Sequence, residues 1–193
     1  MTMPPPFDIL LLGPPGAGKG TQGVLLSRRL GLPKLATGDL LRDAVARGTP
    51  LGRQAKAVME SGALVSDDII LGVVEEELDK PDAARGVILD GVVRTVPQAE
   101  GVERILRRKG RRLGHVLFLD VSDAEILSRI EKRRGQEGRA DDAPEAVARR
   151  LRAYRDQTAP VLAWYESKQE VHRISGMGTV EDIADRIRAV LGR

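Results

Sequence analysis

A glycine-rich loop with one lysine lies near the start of the chain. It reads GPPGAGKGT, from Gly13 to Thr21, and lies between an apolar run and a helical pattern. Small residues let backbone N–H groups approach an anion closely, and the positive N-terminal end of the following helix adds to the attraction. Lys19 adds a point charge for the outer phosphates of a triphosphate. The spacing G-x-x-x-x-G-K, from Gly13 to Lys19, therefore predicts a nucleotide phosphate loop.

The residue after this lysine is unusual for such a loop. A Ser or Thr that binds Mg²⁺ normally follows the lysine, whereas here Gly20 follows and Thr21 comes one position late. This pattern resembles the nucleoside monophosphate kinases, and most closely the adenylate kinases. The resemblance implies a Mg²⁺ ion held by phosphates and water, with Asp90 in its outer shell. It assigns the ATP phosphates to Gly16, Ala17, Gly18, Lys19, Gly20 and Thr21.

A second set of residues matches the AMP site of the same family. The stretch ATGDLLR predicts a helix that Thr37 caps, with Arg42 one turn on, and alone it is typical of an ordinary capped helix. The stretch ILDGVVRT places Arg94 four residues before Gln98, whose amide both donates and accepts hydrogen bonds. The resemblance implies that Thr37 and Gln98 contact the base. It implies that Arg42 and Arg94 bind the phosphate. The implied AMP-binding residues are Thr37, Arg42, Met59, Ala63, Leu64, Val65, Gly91, Arg94, Gln98, Arg139 and Arg150.

The chain departs from the family pattern directly before Arg94. The family has an aromatic residue and then a proline here, whereas this chain has Val92 and Val93. Proline fixes the backbone angle φ and valine does not. We expect a looser grip on the AMP phosphate and a higher KM for AMP.

A cluster of arginines follows in the second half of the chain. From Arg129 it reads RIEKRRGQEGRADDAPEAVARRL, and such a basic stretch is by itself typical of a solvated helix face or, less often, of a nucleic-acid surface. Its spacing resembles the short lid of the adenylate kinases. The resemblance implies that Arg129 stacks on the adenine of ATP and that backbone near Gly178 reads the adenine edge. The ATP-binding residues then also include Arg129, Arg133 and Gly178.

Phosphoryl transfer needs positioning and charge stabilisation more than a base, because the acceptor is already an anion. The resemblance implies that the cations converge on the transferring group and that the lid excludes water. It predicts two moving parts, an AMP-binding unit at 36–65 and a lid at 133–143, within one domain that spans 1–193. The implied catalytic residues are Lys19, Arg94, Arg133, Arg139 and Arg150.

Short apolar runs alternate with helical patterns and must position these groups. The runs at 8–13, 86–91 and 115–120 predict buried strands, and those at 33–36 and 170–175 predict weaker ones. Nearly continuous apolar strands between helices indicate a parallel sheet that is covered on both faces. We therefore predict an α/β fold of the P-loop NTPase type, with a five-stranded parallel sheet. Capping boxes are predicted at Thr95, Ser122 and Thr179.

Composition limits the other classes of site. The chain has 193 residues, a net charge of +3 and no cysteine, so disulfides and cysteine-ligated zinc, including a structural zinc in the lid, are excluded. His115 and His172 lie far apart in sequence, and each is more typical of a structural or surface histidine than of a metal ligand. The N-terminal MTMPPPF lacks the features of a signal peptide, and no apolar run approaches the roughly 18 residues of a membrane span. We expect a cytoplasmic protein without membrane contact.

The expected activity is reversible phosphoryl transfer from Mg-ATP to AMP, which gives two ADP. The resemblance implies a monomer whose partners are the nucleotides ATP, AMP and ADP, without nucleic acid. A kinase for UMP and CMP is the nearest alternative, since those relatives usually have alanine at the position of Thr37. Preference for GTP as donor is also open. A nucleotide-dependent binding protein with weakened catalysis, which contacts nucleic acid through the arginines of 129–155, is the alternative from another class.

Overall fold

Five parallel strands form the centre of the fold. The computed structural model describes residues 7–60, 65–137 and 144–192, apart from the side chains of residues 51, 57–60, 136 and 137. The strands lie in the order β2-β3-β1-β4-β5, and every neighbouring pair is parallel. All five strands predicted from the sequence are confirmed. They are β1 (Asp8–Leu12), β2 (Lys34–Ala36), β3 (Ile88–Asp90), β4 (Leu113–Asp120) and β5 (Val171–Ser175).

Helices connect the strands. A 3₁₀ turn, Pro81–Arg85, precedes β3, and a π-helical turn, Tyr154–Thr158, joins the seventh helix to the eighth. Within the described ranges, no helix is long and apolar enough to span a bilayer. The α-helices of the described residues are α1 (Lys19–Leu30), α2 (Thr37–Ala46), α3 (Pro50–Glu60), α4 (Asp67–Leu78), α5 (Val96–Arg108), α6 (Asp123–Glu137), α7 (Pro144–Ala153), α8 (Ala159–Glu166) and α9 (Val180–Leu191).

The sheet is buried on both faces, as predicted. Along β1, Leu10 and Leu12 pack in one apolar cluster with α4, α5 and α8. Ile9 and Leu11 point to the opposite face and pack in a second cluster with α1, α6 and α9. Alternate residues of one strand thus enter two cores, which explains why the strand reads as a continuous apolar run.

A third, smaller cluster lies under α2, α3 and α4. It contains Leu41, Ala55, Val65, Ile70 and Val73 and is separate from the two clusters on the sheet. This part of the chain has its own small core, at the place where the sequence predicts an AMP-binding unit.

The predicted caps have different outcomes. Thr179 and Asp182 form the full capping box at the start of α9. The Thr95 side chain accepts from the Gln98 backbone N–H, but the Gln98 side chain turns elsewhere. The prediction that Thr37 caps α2 is wrong, because Ala36 is the N-cap and no side chain caps the helix.

The two histidines are neighbours on β4 and β5. His115 Nδ1 lies 3.3 Å from His172 Nε2, and His172 Nδ1 lies 3.5 Å from a Glu170 carboxylate oxygen. Both rings are partly buried at the amino-terminal half of their strands. The separation of these histidines in sequence is therefore not a separation in the fold, although a structural role agrees with their position.

Candidate active site

The phosphate loop, residues 13–21, connects the end of β1 to the start of α1. Gly13, Gly16 and Gly18 have φ angles of 143°, 82° and 94°, which disfavour residues with a Cβ. A Cβ on Gly13 would also lie 2.9 Å from the Leu119 carbonyl oxygen. The glycines are therefore required by the path of the chain, and that path places the loop at the N-terminal end of α1.

Lys19 is folded back over this loop. Its ammonium donates hydrogen bonds to the carbonyl oxygens of Gly13 at 2.7 Å and of Pro14 at 2.8 Å. These two bonds fix the position of the charge before any ligand is bound. A lysine ammonium has three N–H donors, so a phosphate that binds here would accept a hydrogen bond from Lys19.

The predicted catalytic cations of the described residues act electrostatically on Lys19. Burial among protein atoms lowers the pKa of Lys19 to about 8, and Asp90 opposes this shift. The positive charges of Arg94, Arg150 and Arg133 lower this pKa further. Three arginines from separate parts of the sequence therefore act on one ammonium, which is the arrangement expected of a site for a highly charged anion.

Asp90 is an acidic group that acts on two of these cations, Lys19 and Arg94. It lies at the end of β3, and its side chain is only 11% exposed. A Cβ on Gly20 would lie 3.7 Å from its Oδ2 atom, so a glycine after Lys19 leaves the space in front of this carboxylate free of a side chain. Among the described residues, no group of three or more His, Asp or Glu side chains could hold a metal ion unaided. One carboxylate beside a phosphate site fits a Mg²⁺ ion whose other ligands are phosphate and water oxygens.

The turn that carries Arg94, residues 91–98, is called the acceptor turn here. Its two valines are buried in the core, with Val92 0% and Val93 2% exposed. The Arg94 backbone N–H donates to Gln98 Oε1 at 2.8 Å, and Arg94 Nε donates to the Gly91 carbonyl oxygen at 3.3 Å. Burial and one glutamine amide therefore hold this turn in the absence of the family's proline.

The guanidinium of Arg94 belongs to the same electrostatic cluster. Arg94 is an exposed residue, but protein atoms close to its guanidinium desolvate that group and lower its pKa. Arg150 lowers this pKa further, Asp90 raises it, and Arg42 has a smaller lowering effect. The two arginines predicted to bind the AMP phosphate, Arg42 and Arg94, thus act on each other.

Gln98 is buried and already hydrogen-bonded. Its Nε2 donates to Asp67 Oδ1 at 2.8 Å, while its Oε1 accepts from the Arg94 backbone. A primary amide has two N–H donors and two acceptor lone pairs. Beyond these two bonds, the amide has one further donor and one further lone pair.

The start of α2 lies against the acceptor turn. The Thr37 hydroxyl is 2% exposed and donates to the Gly91 carbonyl oxygen at 2.9 Å. Arg42 forms an exposed ion pair with Asp39 one turn away. Val65 packs in the small core under α2 to α4. The side chain of Met59 and the residues Ala63 and Leu64, also predicted to contact AMP, lie outside the described part of the chain.

Arg129 joins the phosphate loop to the segment predicted to read adenine. Its guanidinium donates to the Gly176 carbonyl oxygen at 2.7 Å and to that of Ala17 at 3.4 Å, and it pairs with Glu125 at 2.7 Å. Gly178 has a φ of 103°, and a Cβ there would lie 2.8 Å from an Asp182 carboxylate oxygen. Hydrogen bonds therefore hold Arg129 against both the phosphate loop and the segment that leads to Gly178.

Sequence reasoning missed the residues that orient the site. Lys34 lies 3.5 Å from Asp90, Asp67 holds the Gln98 amide, and Asp39 holds Arg42. A lysine at the start of a buried strand was a usable signal for Lys34, whereas nothing in the sequence indicates Asp67. Arg139, predicted in the lid, lies outside the described residues.

Comparison with known proteins agrees with this geometry. The family model described as adenylate kinase matches residues 11–170. The adenylate kinase of Methylobacterium radiotolerans is 51% identical over 189 residues, which is 95% of this chain and 94% of that protein. The adenylate kinases of Stenotrophomonas maltophilia and Thermus thermophilus are each 48% identical over 95% of this chain, and these matches cover 98% and 96% of those proteins. On this sequence similarity, the chain belongs to the adenylate kinase family.

Proposed function

We propose that this chain catalyses the reaction of its family, the reversible transfer of a phosphoryl group from ATP to AMP to give two ADP. The observation that supports this most strongly is that the charges of Arg94, Arg150 and Arg133 all act on Lys19 in the phosphate loop. Four cations in one field match the charge of two nucleotides that face each other through their phosphates.

The transfer step itself needs little chemistry from the protein. An oxygen of the AMP phosphate forms a bond to the γ-phosphorus of ATP, and the bond from that phosphorus to the β,γ-bridging oxygen breaks. Lys19 and the arginines stabilise the charge that spreads over the transferred group, because they are positioned before the reaction begins. The acceptor is an anion, so no proton has to be removed.

Mg²⁺ is the cofactor that we propose. Asp90 would hold it through water, and the metal would neutralise phosphate charge when it is bound. The protein contributes the carboxylate and the empty side-chain position at Gly20.

The acceptor base is proposed to be adenine. Thr37 and Gln98 lie beside the acceptor turn, and the Gln98 amide keeps one donor and one lone pair for the adenine edge. The AMP phosphate would take Arg42 from Asp39 and bind Arg94. On the donor side, Arg129 and the backbone at Gly178 would contact the adenine of ATP.

Closure and assembly complete the proposal. Residues 36–65 and 133–143 would close over AMP and over the phosphates within a single domain, and Arg139 would enter the site from the lid. Residues 63–65 and Met59 would close over the AMP base. The active form would be a monomer in the cytoplasm that binds neither nucleic acid nor membrane.

The test is ADP formation by the purified chain from ATP, AMP and Mg²⁺, with UMP, CMP and GMP as other acceptors and GTP as another donor. We expect AMP and ATP to be preferred. Lys19→Met should lower kcat by about 1,000-fold, because one preorganised charge on the phosphates is lost. Lys109→Met removes a lysine from a surface ion pair and should leave the rate unchanged. A folded protein that forms no ADP would contradict the proposal.

A further inference from the structure

Lys34 lies between two carboxylates at the edge of the site. Its ammonium is 3.5 Å from Asp90 Oδ2 and 3.8 Å from Asp39 Oδ2. The Lys34 side chain is 17% exposed, the Asp90 side chain is 11% exposed and the Asp39 side chain is 62% exposed. The lysine therefore joins the carboxylate beside the phosphate loop to the carboxylate that holds Arg42.

The fold directs Lys34 into this position. In the register of β2 and β3, Lys34 pairs with Ile88 and Ala36 pairs with Asp90. Because side chains alternate along a strand, Lys34 lies on the same face as Asp90, two residues upstream. A Cβ on Gly23 of α1 would lie 2.8 Å from Lys34 Cδ. A glycine in α1 thus leaves the space through which the lysine stem runs along the sheet.

We propose that Lys34 is a positioning residue that holds Asp90 and Asp39 as one ion-paired set in the nucleotide-free protein, so that these carboxylates do not bind a divalent cation until a nucleotide brings it. Two carboxylates near each other attract a divalent cation, and an ammonium within 4 Å of both reduces that attraction. Because Lys34 pairs with the Oδ2 atom of Asp90, this carboxylate attracts a metal ion less strongly. Contact through a water molecule is then favoured over direct ligation. The inference rests on the proposed position of Mg²⁺ beside Asp90.

The experiment measures binding of Mn²⁺ alone to the full chain without nucleotide, from the free Mn²⁺ signal in electron paramagnetic resonance. Lys34→Met should bind Mn²⁺ at least tenfold more tightly than the original protein. The added substitutions Asp39→Asn or Asp90→Asn should each return the affinity to within threefold of the original value. Thermal unfolding verifies that each variant is folded, and Lys34→Gln replaces Lys34→Met, with the same expectation, where the latter does not fold.

Lys109 provides a matched control. Its side chain is 19% exposed and it also lies between two carboxylates, Asp79 and Glu75. Lys109→Met should change Mn²⁺ affinity by less than twofold, so a similar gain in both lysine variants would show a general charge effect and overturn the proposal. An unchanged affinity in Lys34→Met, or a gain that persists with Asp90→Asn, would also overturn it. Mn²⁺ binding needs no turnover, so a lack of ADP formation would contradict the proposed function and leave this result standing.

Discussion

The phosphate loop and the acceptor turn each carry a cation, and the charges of Lys19 and Arg94 act on each other, but different forces hold the two turns. In the phosphate loop, glycines at positive φ set the path and carbonyl oxygens hold Lys19. In the acceptor turn, Val92 and Val93 are buried in the core and the Gln98 amide holds the backbone of Arg94. The phosphate loop depends mainly on three glycine conformations. The acceptor turn has one glycine at positive φ, Gly91 at 64°, and depends mainly on packing and on the Gln98 amide.

This difference determines how each turn should respond to substitution. Neighbouring residues cannot compensate when a glycine that needs a positive φ is replaced. Substitutions in the phosphate loop should therefore have large effects, and these should appear in the kinetic constants for ATP. Packing and one hydrogen bond are spread over several groups, so damage to the acceptor turn should be smaller and should affect the AMP side.

The largest effect is expected for Gly13→Ala. The new Cβ would require a φ of 143° and would lie 2.9 Å from the Leu119 carbonyl oxygen, so the loop must shift. A misplaced phosphate site should lower kcat/KM for ATP by about 100-fold. The strain should lower the free energy of unfolding by about 1–3 kcal/mol. Steady-state kinetics and denaturant unfolding measure the two effects, and a larger change in the KM for AMP than in that for ATP would contradict the comparison.

The acceptor turn is broken by Gln98→Leu. The Arg94 backbone N–H and the Asp67 carboxylate would each lose a buried partner. Leaving a buried polar group without its partner costs about 1–3 kcal/mol. Because this cost falls on the turn that positions Arg94 for the AMP phosphate, the KM for AMP should rise by about 20-fold while the KM for ATP stays the same. Thr95→Ala is the control, because it removes only the cap of α5 and should cost about 1 kcal/mol of stability with little change in the KM for AMP. Equal effects of both variants on AMP would assign the grip to the helix and not to Gln98.

The ionisation of Lys19 gives a prediction for pH. Its pKa is lowered to about 8 in the nucleotide-free protein, mainly by burial. Phosphate binding needs the charged form, so kcat/KM for ATP should fall about tenfold per pH unit above 8. Bound phosphates raise the pKa of Lys19, so kcat should stay constant to a higher pH than kcat/KM does. A profile of kcat/KM that is flat to pH 10 would contradict this.

The same group affects stability. The unfolded chain binds the proton up to its ordinary pKa of 10.5, whereas the folded chain loses it near 8. The unfolded state therefore binds more protons between these values, and this group makes the free energy of unfolding rise with pH in that window. Lys19→Met should remove that rise, which denaturant unfolding at several pH values measures.

The sequence predicted the parts of the molecule that depend on local patterns. Apolar runs located three strands clearly and two more weakly, and the glycine spacing located the phosphate loop, because both signals follow from backbone geometry within a few residues. Thr37 was wrongly predicted to cap α2, since its hydroxyl has a partner in Gly91, 54 positions away. The contacts from Lys34 to Asp90 and from Asp67 to Gln98 also join distant segments. Pairings of this kind are set by the register of the sheet and by helix packing, which no local pattern encodes.

The smallest effect is expected where this chain differs from its family, in the double substitution Val92→Phe and Val93→Pro. Proline would reduce the conformational freedom of the unfolded chain and fix φ before Arg94. Where the backbone fits, this should raise the free energy of unfolding by about 0.4–1 kcal/mol. A turn whose φ is fixed before binding also loses less freedom when AMP binds, so we expect the KM for AMP to fall about threefold and the KM for ATP to stay unchanged. Because both valines are buried in the core, a phenylalanine that does not fit would instead lower stability, and thermal unfolding separates this outcome from a direct effect on AMP. If a stable double variant keeps the same KM for AMP, the buried valines and the Gln98 amide hold Arg94 as well as proline does, and the acceptor turn does not need the proline.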